Sequence, residues 1–158
     1  MYLTKVIKDF ISMEIAILAA GCFWSPEIKF SKLNGVIKTE VGYCGGKSAQ
    51  TTYKEVCTGK TNHAEVVKIE FDNKLISYEQ ILDYFFEIHD PTTLNQQGYD
   101  VGTQYRSEIF YTSKDQKEIA EKVLNKTNHK FNGKIVTNIS ENKNYCRAED
   151  YHQKYLER

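Results

Sequence analysis

Residues 15–27 read IAILAAGCFWSPE and join an apolar strand to the start of a helix. The first six of these residues carry no charge and have the length of a strand. Pro26 is tolerated in the first turn of a helix, and Glu27 suits the positive end of the helix dipole. The helix is therefore expected to begin within a residue or two of Trp24. Cys22 then lies beside backbone N–H groups that have no partner within the helix.

Cys22 is the candidate nucleophile of the chain. A cysteine at the start of a helix is stabilised as the thiolate, which is the form that attacks electrophiles. Phe23 and Trp24 follow at once and supply an apolar wall beside the sulfur. The alternative is a small buried core cysteine, which is the commoner role of a free cysteine. The turn context favours the reactive thiol.

Size and charge limit the class of protein. The 158 residues suit one domain, which buries about two thirds of the surface of its unfolded chain. The 21 basic and 21 acidic residues give a formal net charge of zero, so the electrostatic signature of nucleic-acid binding is missing.

Residues 1–12 resemble an N-terminal extension and predict neither a secretory signal nor a membrane segment. Residues 13–158 are expected to form a single catalytic domain, and translation from Met13 is a hypothesis.

The four cysteines, Cys22, Cys44, Cys57 and Cys146, are scattered along the chain. They form no C-x-x-C pair and no Cys/His cluster with zinc-finger spacing, so no metal site is expected. Scattered cysteines without a secretory signal are typical of an intracellular protein with free or catalytic thiols. A cytoplasmic location is therefore expected.

Strand and helix patterns alternate along the chain without repeats. Predicted strands cover residues 14–20, 36–43, 63–71, 108–112 and 135–140, and predicted helices cover 25–33, 77–89, 113–128 and 148–156. Polar loops separate them at residues 44–62 and 92–106. This order predicts an α+β fold in which helices pack on a mixed or antiparallel sheet and long loops carry the active site. The best match is a ferredoxin-like split βαβ core.

Glu65 is the second candidate for chemistry. Val67, Ile69 and Phe71 alternate with polar residues, and by the same parity Glu65 points to the apolar face of the strand. A buried carboxyl loses hydration, which raises its pKa and lets it hold a proton at neutral pH as a general acid. The alternative is a strand-end glutamate that pairs with a lysine or faces solvent.

Three further residues in the polar loops have groups suited to the same reaction. The hydroxyls of Tyr53 and Tyr105 are candidate donors to a negative charge that develops on oxygen. With eleven tyrosines in the chain, a packing role is the alternative for each of them. Asp100 lies in a glycine-flanked stretch, where an ordinary turn aspartate is the alternative.

Eight short segments of the chain, taken in order, match the pattern of a known family. They are GCFW (21–24), GYCGG (42–46), TYKEVCTG (52–59), HAEVV (63–67), HDPTT (89–93), QGYD (97–100), GTQYRS (102–107) and AEDYHQ (148–153). Together they resemble the peptide methionine-S-sulfoxide reductase family, also called methionine sulfoxide reductase A. The ordered set extends from about Met13 to Leu156 and is far more specific than any single segment.

The resemblance implies a role for each candidate. Cys22 matches the nucleophile that attacks the sulfoxide sulfur and becomes a sulfenic acid, and Glu65 matches the acid that protonates the sulfoxide oxygen. Tyr53 and Tyr105 match the hydroxyls that bind this oxygen, and Asp100 matches the acidic residue that completes the site. Phe23 and Trp24 match the pocket for the methyl group. One polar wall that faces one apolar wall sorts the two sulfoxide epimers, so specificity for a single epimer follows.

The chain departs from the family at its C-terminus. Many members continue into a glycine-rich tail with a resolving cysteine, whereas this chain stops at Arg158. Cys146 is the leading internal candidate to resolve the sulfenic acid, because the family more often has an aromatic residue there. Cys44 and Cys57 are the next candidates, and inert buried thiols are the alternative for all three. Direct reduction by an external thiol is a further alternative.

The sequence thus predicts a thiol oxidoreductase without a cofactor. Its expected partners are methionine sulfoxide, free or in peptides and proteins, and thioredoxin or another thiol reductant, and a monomer is expected. Two other functions are compatible with a reactive Cys22. A thiol peroxidase would consume peroxide and would not need Glu65, whereas a binding module with an aromatic pocket for methylated ligands would tolerate Cys22→Ser.

Overall fold

The computed structural model describes residues 12–158, so the predicted N-terminal extension lies outside the described residues except for Ser12. The elements, in chain order, are β1 (Met13–Ala20), α1 (Trp24–Ser31), β2 (Val36–Cys44), α2 (Tyr53–Val56), β3 (Ala64–Asp72), α3 (Tyr78–Glu87), β4 (Gln96–Gln97), β5 (Asp100–Val101), β6 (Ser107–Tyr111), α4 (Lys114–Lys130), β7 (Asn138–Glu141) and β8 (Cys146–Arg147). Short 3-10 helices cover Thr103–Tyr105, Asp150–His152 and Tyr155–Glu157.

The main sheet has six strands in the order β7-β6-β1-β3-β2-β8. Strand β3 pairs antiparallel with both β1 and β2, and β6 pairs antiparallel with β1. Helix α1 connects β1 to β2, and α3 lies between β3 and β6, so these strands form a split βαβ core with the spatial order β6-β1-β3-β2. Strand β7 adds in parallel to β6. The predicted α+β fold with a mixed sheet and a ferredoxin-like core is therefore confirmed.

The core lies between the sheet and helices α1, α3 and α4. Strand β3 places Val67, Ile69 and Phe71 in this core, where they join Phe30 of α1 and Phe85 of α3. The opposite face of the sheet carries a smaller buried cluster, composed of Ile17, Ala19, Cys44, Ala64, Val66 and Phe110. The alternation predicted for β3 is thus present, with one set of side chains on each face.

The predicted helices over residues 77–89 and 113–128 both begin at a serine N-cap, so their predicted starts are confirmed. The Ser77 hydroxyl accepts from the Gln80 N–H at 3.0 Å, while the Gln80 side chain accepts from the Ser77 N–H at 2.9 Å. At α4, the Ser113 hydroxyl accepts from the Gln116 N–H at 3.1 Å. The Gln116 side chain does not return a bond to the Ser113 N–H, as it would in a capping box, and its amide donates to the Ile15 carbonyl at 2.7 Å. Gln116 thereby attaches α4 to β1, which local sequence rules do not predict.

The predicted helix over residues 148–156 is wrong. The chain there forms two 3-10 helices separated by Lys154, which has a left-handed backbone conformation with φ 54°. The Gln153 side chain accepts from the Val41 N–H and donates to the Val41 carbonyl, both at 2.9 Å, so this segment lies along β2. These contacts satisfy the backbone of β2 and replace those that a continuous helix would make.

Smaller differences concern helix α1 and the loops. Helix α1 ends at Ser31, two residues before the predicted end at Leu33, and Gly35 turns the chain into β2 with φ 100°. The predicted loops contain the short helix α2 and the hairpin of β4 and β5. Within residues 12–158 there is no helix with the length and apolar character needed to cross a membrane.

Replacing Gln153 by Ala is expected to lower the free energy of unfolding by about 1–3 kcal/mol, because the Val41 N–H loses its partner in a partly buried place, whereas the Val41 carbonyl keeps the Ala148 N–H. Urea unfolding measures the change. The matched control is Gln50→Ala, which removes an exposed glutamine and is expected to change stability by less than about 0.5 kcal/mol. Equal stability of the two variants would contradict the role of Gln153.

Candidate active site

The site forms where β1 ends beside β3. Gly21 follows β1 with φ 87°, a conformation that favours glycine, and an added Cβ would lie 2.6 Å from the Gln97 side chain. Cys22 comes next, and Phe23 is the N-cap of α1. The Phe23 N–H donates to Glu65 Oε1 at 3.2 Å, so the strand-to-helix turn and the carboxyl are in direct contact. The structure therefore brings Cys22 and Glu65 into one site.

Glu65 is buried on the core face of β3, with 1% of its surface exposed, as the parity predicted. Burial raises the pKa of this carboxyl to about 8, the Phe23 N–H opposes the rise, and the nearby charge of Asp100 adds to it. The second oxygen, Oε2, is buried and has no hydrogen-bond partner among residues 12–158. Glu65 therefore holds a proton at neutral pH.

Cys22 differs from the prediction in its protonation. The Trp24 N–H donates to the sulfur and favours the thiolate, as expected at a helix start. Burial has the larger effect, however, and together with the charges of Glu65 and Asp100 it raises the pKa of Cys22 to about 11. The expectation that the turn leaves a thiolate is wrong, because one N–H does not offset the lost hydration. Cys22 is a thiol at neutral pH.

The three loop residues lie around the same two groups. Tyr105 interacts electrostatically with Glu65, Asp100 and Cys22, and burial raises its pKa to about 12. Tyr53 interacts with Glu65 and Tyr105, and burial is again the main reason that its pKa is raised. Both hydroxyls are therefore protonated at neutral pH and act as hydrogen-bond donors. The structure thus brings all five candidate catalytic residues together from three separate regions of the chain.

An aromatic wall borders this polar group. Phe23 is buried, and the Trp24 ring stacks on Tyr155 with ring centroids 3.9 Å apart. The Trp24 Nε1–H donates to His152 Nδ1 at 3.2 Å, which fixes the indole in place. The partly buried Trp24 therefore offers an apolar surface next to Cys22, as predicted, whereas Phe23 is almost completely buried.

Two further residues of the site, Glu149 and His152, received no role from the sequence. The Glu149 carboxylate accepts from the Tyr43 hydroxyl at 2.8 Å and from the Tyr53 N–H at 2.9 Å, so it fixes the start of α2. The His152 ring lies 4.5 Å from the Tyr53 ring, and its Nε2 is buried without a partner among the described residues. Both residues belong to AEDYHQ (148–153), one of the eight segments that carry the family resemblance. This membership was the one feature of the sequence that pointed to them.

The other cysteines occupy different surroundings. The buried Cys44 thiol donates to Asn142 Oδ1 at 3.3 Å, on the face of the sheet that carries the smaller cluster. The Cys146 sulfur lies 3.6 Å from the Thr51 carbonyl oxygen. Cys57 is exposed and interacts electrostatically with Cys22. Within residues 12–158, no group of three or more His, Cys, Asp and Glu side chains is arranged to hold a metal ion.

Replacing Glu65 by Gln is expected to lower the pKa of Cys22 from about 11, because the ionised carboxylate that opposes thiolate formation is removed. The pH dependence of iodoacetamide alkylation, followed by mass spectrometry of the peptide that contains Cys22, measures the pKa. Glu70→Gln, a change on the same strand β3, is the control and is expected to leave the pKa of Cys22 where it is. An unchanged or higher pKa in Glu65→Gln would contradict the coupling.

Known proteins resemble the chain over nearly its whole length. The family model described as peptide methionine sulfoxide reductase matches residues 14–158. Peptide methionine sulfoxide reductase MsrA of Pelagibacter ubique is 72% identical over 146 residues, which are 92% of this chain and 99% of that protein.

Solved structures show the same fold. The reduced form of Mxr1 from Saccharomyces cerevisiae superposes with a TM-score of 0.88 and 38% identity, covering 93% of this chain and 86% of that one. Mxr1 in complex with Trx2 matches with a TM-score of 0.67 and 27% identity over 92% of this chain and 86% of that one. With the family model, the sequence identity and the fold in agreement, the chain belongs to the peptide methionine sulfoxide reductase family.

Proposed function

We propose that this chain reduces methionine-S-sulfoxide, free or within proteins, to methionine through a sulfenic acid on Cys22. The observation that carries the proposal is the buried Glu65 carboxyl, which accepts a hydrogen bond from the N–H of the residue after Cys22. Burial keeps this carboxyl protonated up to about pH 8. A proton donor beside a sulfur nucleophile is what a sulfoxide requires, because its oxygen is a poor leaving group until it is protonated.

The reaction that these groups support moves one oxygen atom and one proton. The Cys22 sulfur attacks the sulfoxide sulfur while Glu65 gives its proton to the sulfoxide oxygen. The attack makes a bond between the two sulfurs. The hydroxyl then passes from the substrate sulfur to the Cys22 sulfur, which becomes a sulfenic acid, and the sulfur–sulfur bond and the original bond between the oxygen and the substrate sulfur both break. Methionine leaves with the electron pair, and the thiol proton of Cys22 restores Glu65. The sulfur of Cys22 is oxidised by two electrons and that of the substrate is reduced by two, so no cofactor is needed.

Other side chains orient the substrate. Tyr53 and Tyr105 are protonated donors beside Glu65, so they are suited to hold the sulfoxide oxygen and the charge that develops on it. Asp100 raises the pKa of Glu65 and so helps to retain the acidic proton. Phe23 and Trp24 supply the apolar surface for the methyl group. This opposition of a polar and an apolar wall supports selection of one sulfoxide epimer.

Regeneration of Cys22 requires a thiol, and we assign this role to thioredoxin or a similar reductant. Mxr1, which shares this fold, is known in complex with Trx2. The proposal includes a cytoplasmic location, because the four cysteines are free thiols and a reducing compartment keeps them so. It also takes residues 13–158 as a single catalytic domain that acts as a monomer.

Cys22→Ser is expected to abolish reduction of a methionine-S-sulfoxide peptide with dithiothreitol as reductant. Glu65→Gln is expected to lower kcat by about 10²–10⁴-fold with little change in KM, because a positioned proton donor is lost. Glu70→Gln on the same strand is the control and is expected to keep its activity. A binding module would bind the sulfoxide peptide without forming methionine, and a thiol peroxidase would consume peroxide and tolerate Glu65→Gln. The absence of methionine with the wild-type chain, or an unchanged rate in Glu65→Gln, would overturn the proposal.

The pH dependence of kcat/KM follows from the acid. Glu65 must be protonated, so kcat/KM is expected to fall as the pH rises through about 8. Because the Gln side chain does not ionise, Glu65→Gln is expected to lose this fall along with most of its rate. Initial rates across pH 6–10 with a fixed reductant test this. A profile that rises through pH 8 in the wild-type chain would show that thiolate formation, and not the acid, governs the reaction.

A further inference from the structure

Cys57 lies at the edge of the active site and has no part in the oxygen transfer described above. It follows α2 directly, and its N–H donates to the Tyr53 carbonyl at 2.9 Å, which completes one helical turn. Residues four apart lie on the same side of a helix. The Tyr53 side chain and the Cys57 thiol accordingly interact, and this interaction adds to the rise in the pKa of Tyr53 that burial causes. The second thiol is therefore next to a side chain of the proposed oxygen-binding group.

The surroundings of Tyr53 connect Cys57 to the nucleophile. The ring of His152 lies 4.5 Å from that of Tyr53 and 5.2 Å from that of Phe23, the neighbour of Cys22. Cys57 also interacts electrostatically with Tyr105 as well as with Cys22. The His152 ring therefore lies between the residue after Cys22 and the residue one helical turn before Cys57, which places the two cysteines on opposite sides of one small aromatic cluster.

Neither of the other cysteines has this position. Cys146 lies opposite Tyr43 in the pairing of β8 with β2, and Tyr43 lies opposite Glu65 in the pairing of β2 with β3. The fully buried Tyr43 side chain therefore stands between Cys146 and the acid. Cys44 is buried in the cluster on the other face of the sheet.

We propose that Cys57 is the resolving cysteine of this chain, a step that rests on the proposed function. The Cys57 thiol attacks the sulfur of the Cys22 sulfenic acid, a Cys22–Cys57 disulfide forms, and the S–O bond breaks. The oxygen leaves as water with its own hydrogen and the thiol proton. Cys57 is oxidised by one electron and Cys22 is reduced by one, so the step needs no further oxidant.

The position of Cys57 also suits the regeneration that follows. Residues 57–60 are exposed, and an added Cβ at Gly59 would meet nothing within 4 Å, so the surface beside Cys57 is open. A disulfide requires Cα atoms about 4.4–6.8 Å apart. An external dithiol reaches the exposed Cys57 more easily than the half-buried Cys22. A Cys22–Cys57 disulfide thus has one sulfur, that of Cys57, that an external dithiol can attack at the surface.

The test is one turnover without reductant. The full chain is reduced, freed of reductant and mixed with one equivalent of a methionine-S-sulfoxide peptide. Titratable thiols are expected to fall from four to two, and peptide mapping is expected to show a Cys22–Cys57 linkage. Cys57→Ser is expected to leave a dimedone-reactive sulfenic acid on Cys22 and to slow thioredoxin-supported turnover by about tenfold or more. Cys146→Ser is the matched variant and is expected to form the same linkage as the wild-type chain.

Several results would overturn the assignment. A Cys22–Cys146 or Cys22–Cys44 linkage names another resolving cysteine, and a stable sulfenic acid with three remaining thiols shows direct reduction by the external thiol. Failure of the proposed function itself looks different, because no methionine forms from the sulfoxide peptide even with dithiothreitol. If methionine forms and the Cys22–Cys57 linkage does not, only the role of Cys57 is wrong.

Discussion

The hydrogen bond from the Phe23 N–H to the buried Glu65 carboxyl is the interaction on which the site depends. It joins the strand-to-helix turn that carries Cys22 to the neighbouring strand that carries the acid. Neither residue moves independently, because β1 and β3 are paired along most of their length and α1 packs on the same core. The proposed nucleophile and acid are therefore held by paired strands and the core, while the loops supply the remaining groups.

Burial sets the chemistry of both groups in the same direction. It raises the pKa of Glu65 to about 8 and that of Cys22 to about 11, so both groups hold their protons at neutral pH. A thiolate beside a carboxylate would place two like charges in one poorly hydrated cavity, which is unfavourable. In the proposed reaction, Glu65 gives its proton to the sulfoxide oxygen as the Cys22 thiol releases its own, so the two negative charges do not coexist. The thiolate is then needed only while a substrate accepts the proton of Glu65.

The C-terminal segment completes the site by wrapping around its edge. Gln153 attaches this segment to β2, and on that foundation Glu149 positions Tyr53 while His152 holds Trp24. The walls proposed to bind the sulfoxide oxygen and the methyl group thus depend on residues more than 80 positions away in the chain. This dependence explains why the segment forms short turns with specific contacts instead of the regular helix that its local pattern predicts.

The sequence alone determined what is local. Apolar runs, caps and the parity of β3 predicted the split βαβ fold, the turn at Cys22 and the inward direction of Glu65, because these depend on neighbours within a few residues. Tertiary structure alone decided the protonation of Cys22, the course of the last segment and the closeness of Cys57 to the site. Hydration of a thiol and the distance between two sulfurs depend on side chains brought together from distant parts of the chain, and no local pattern encodes them.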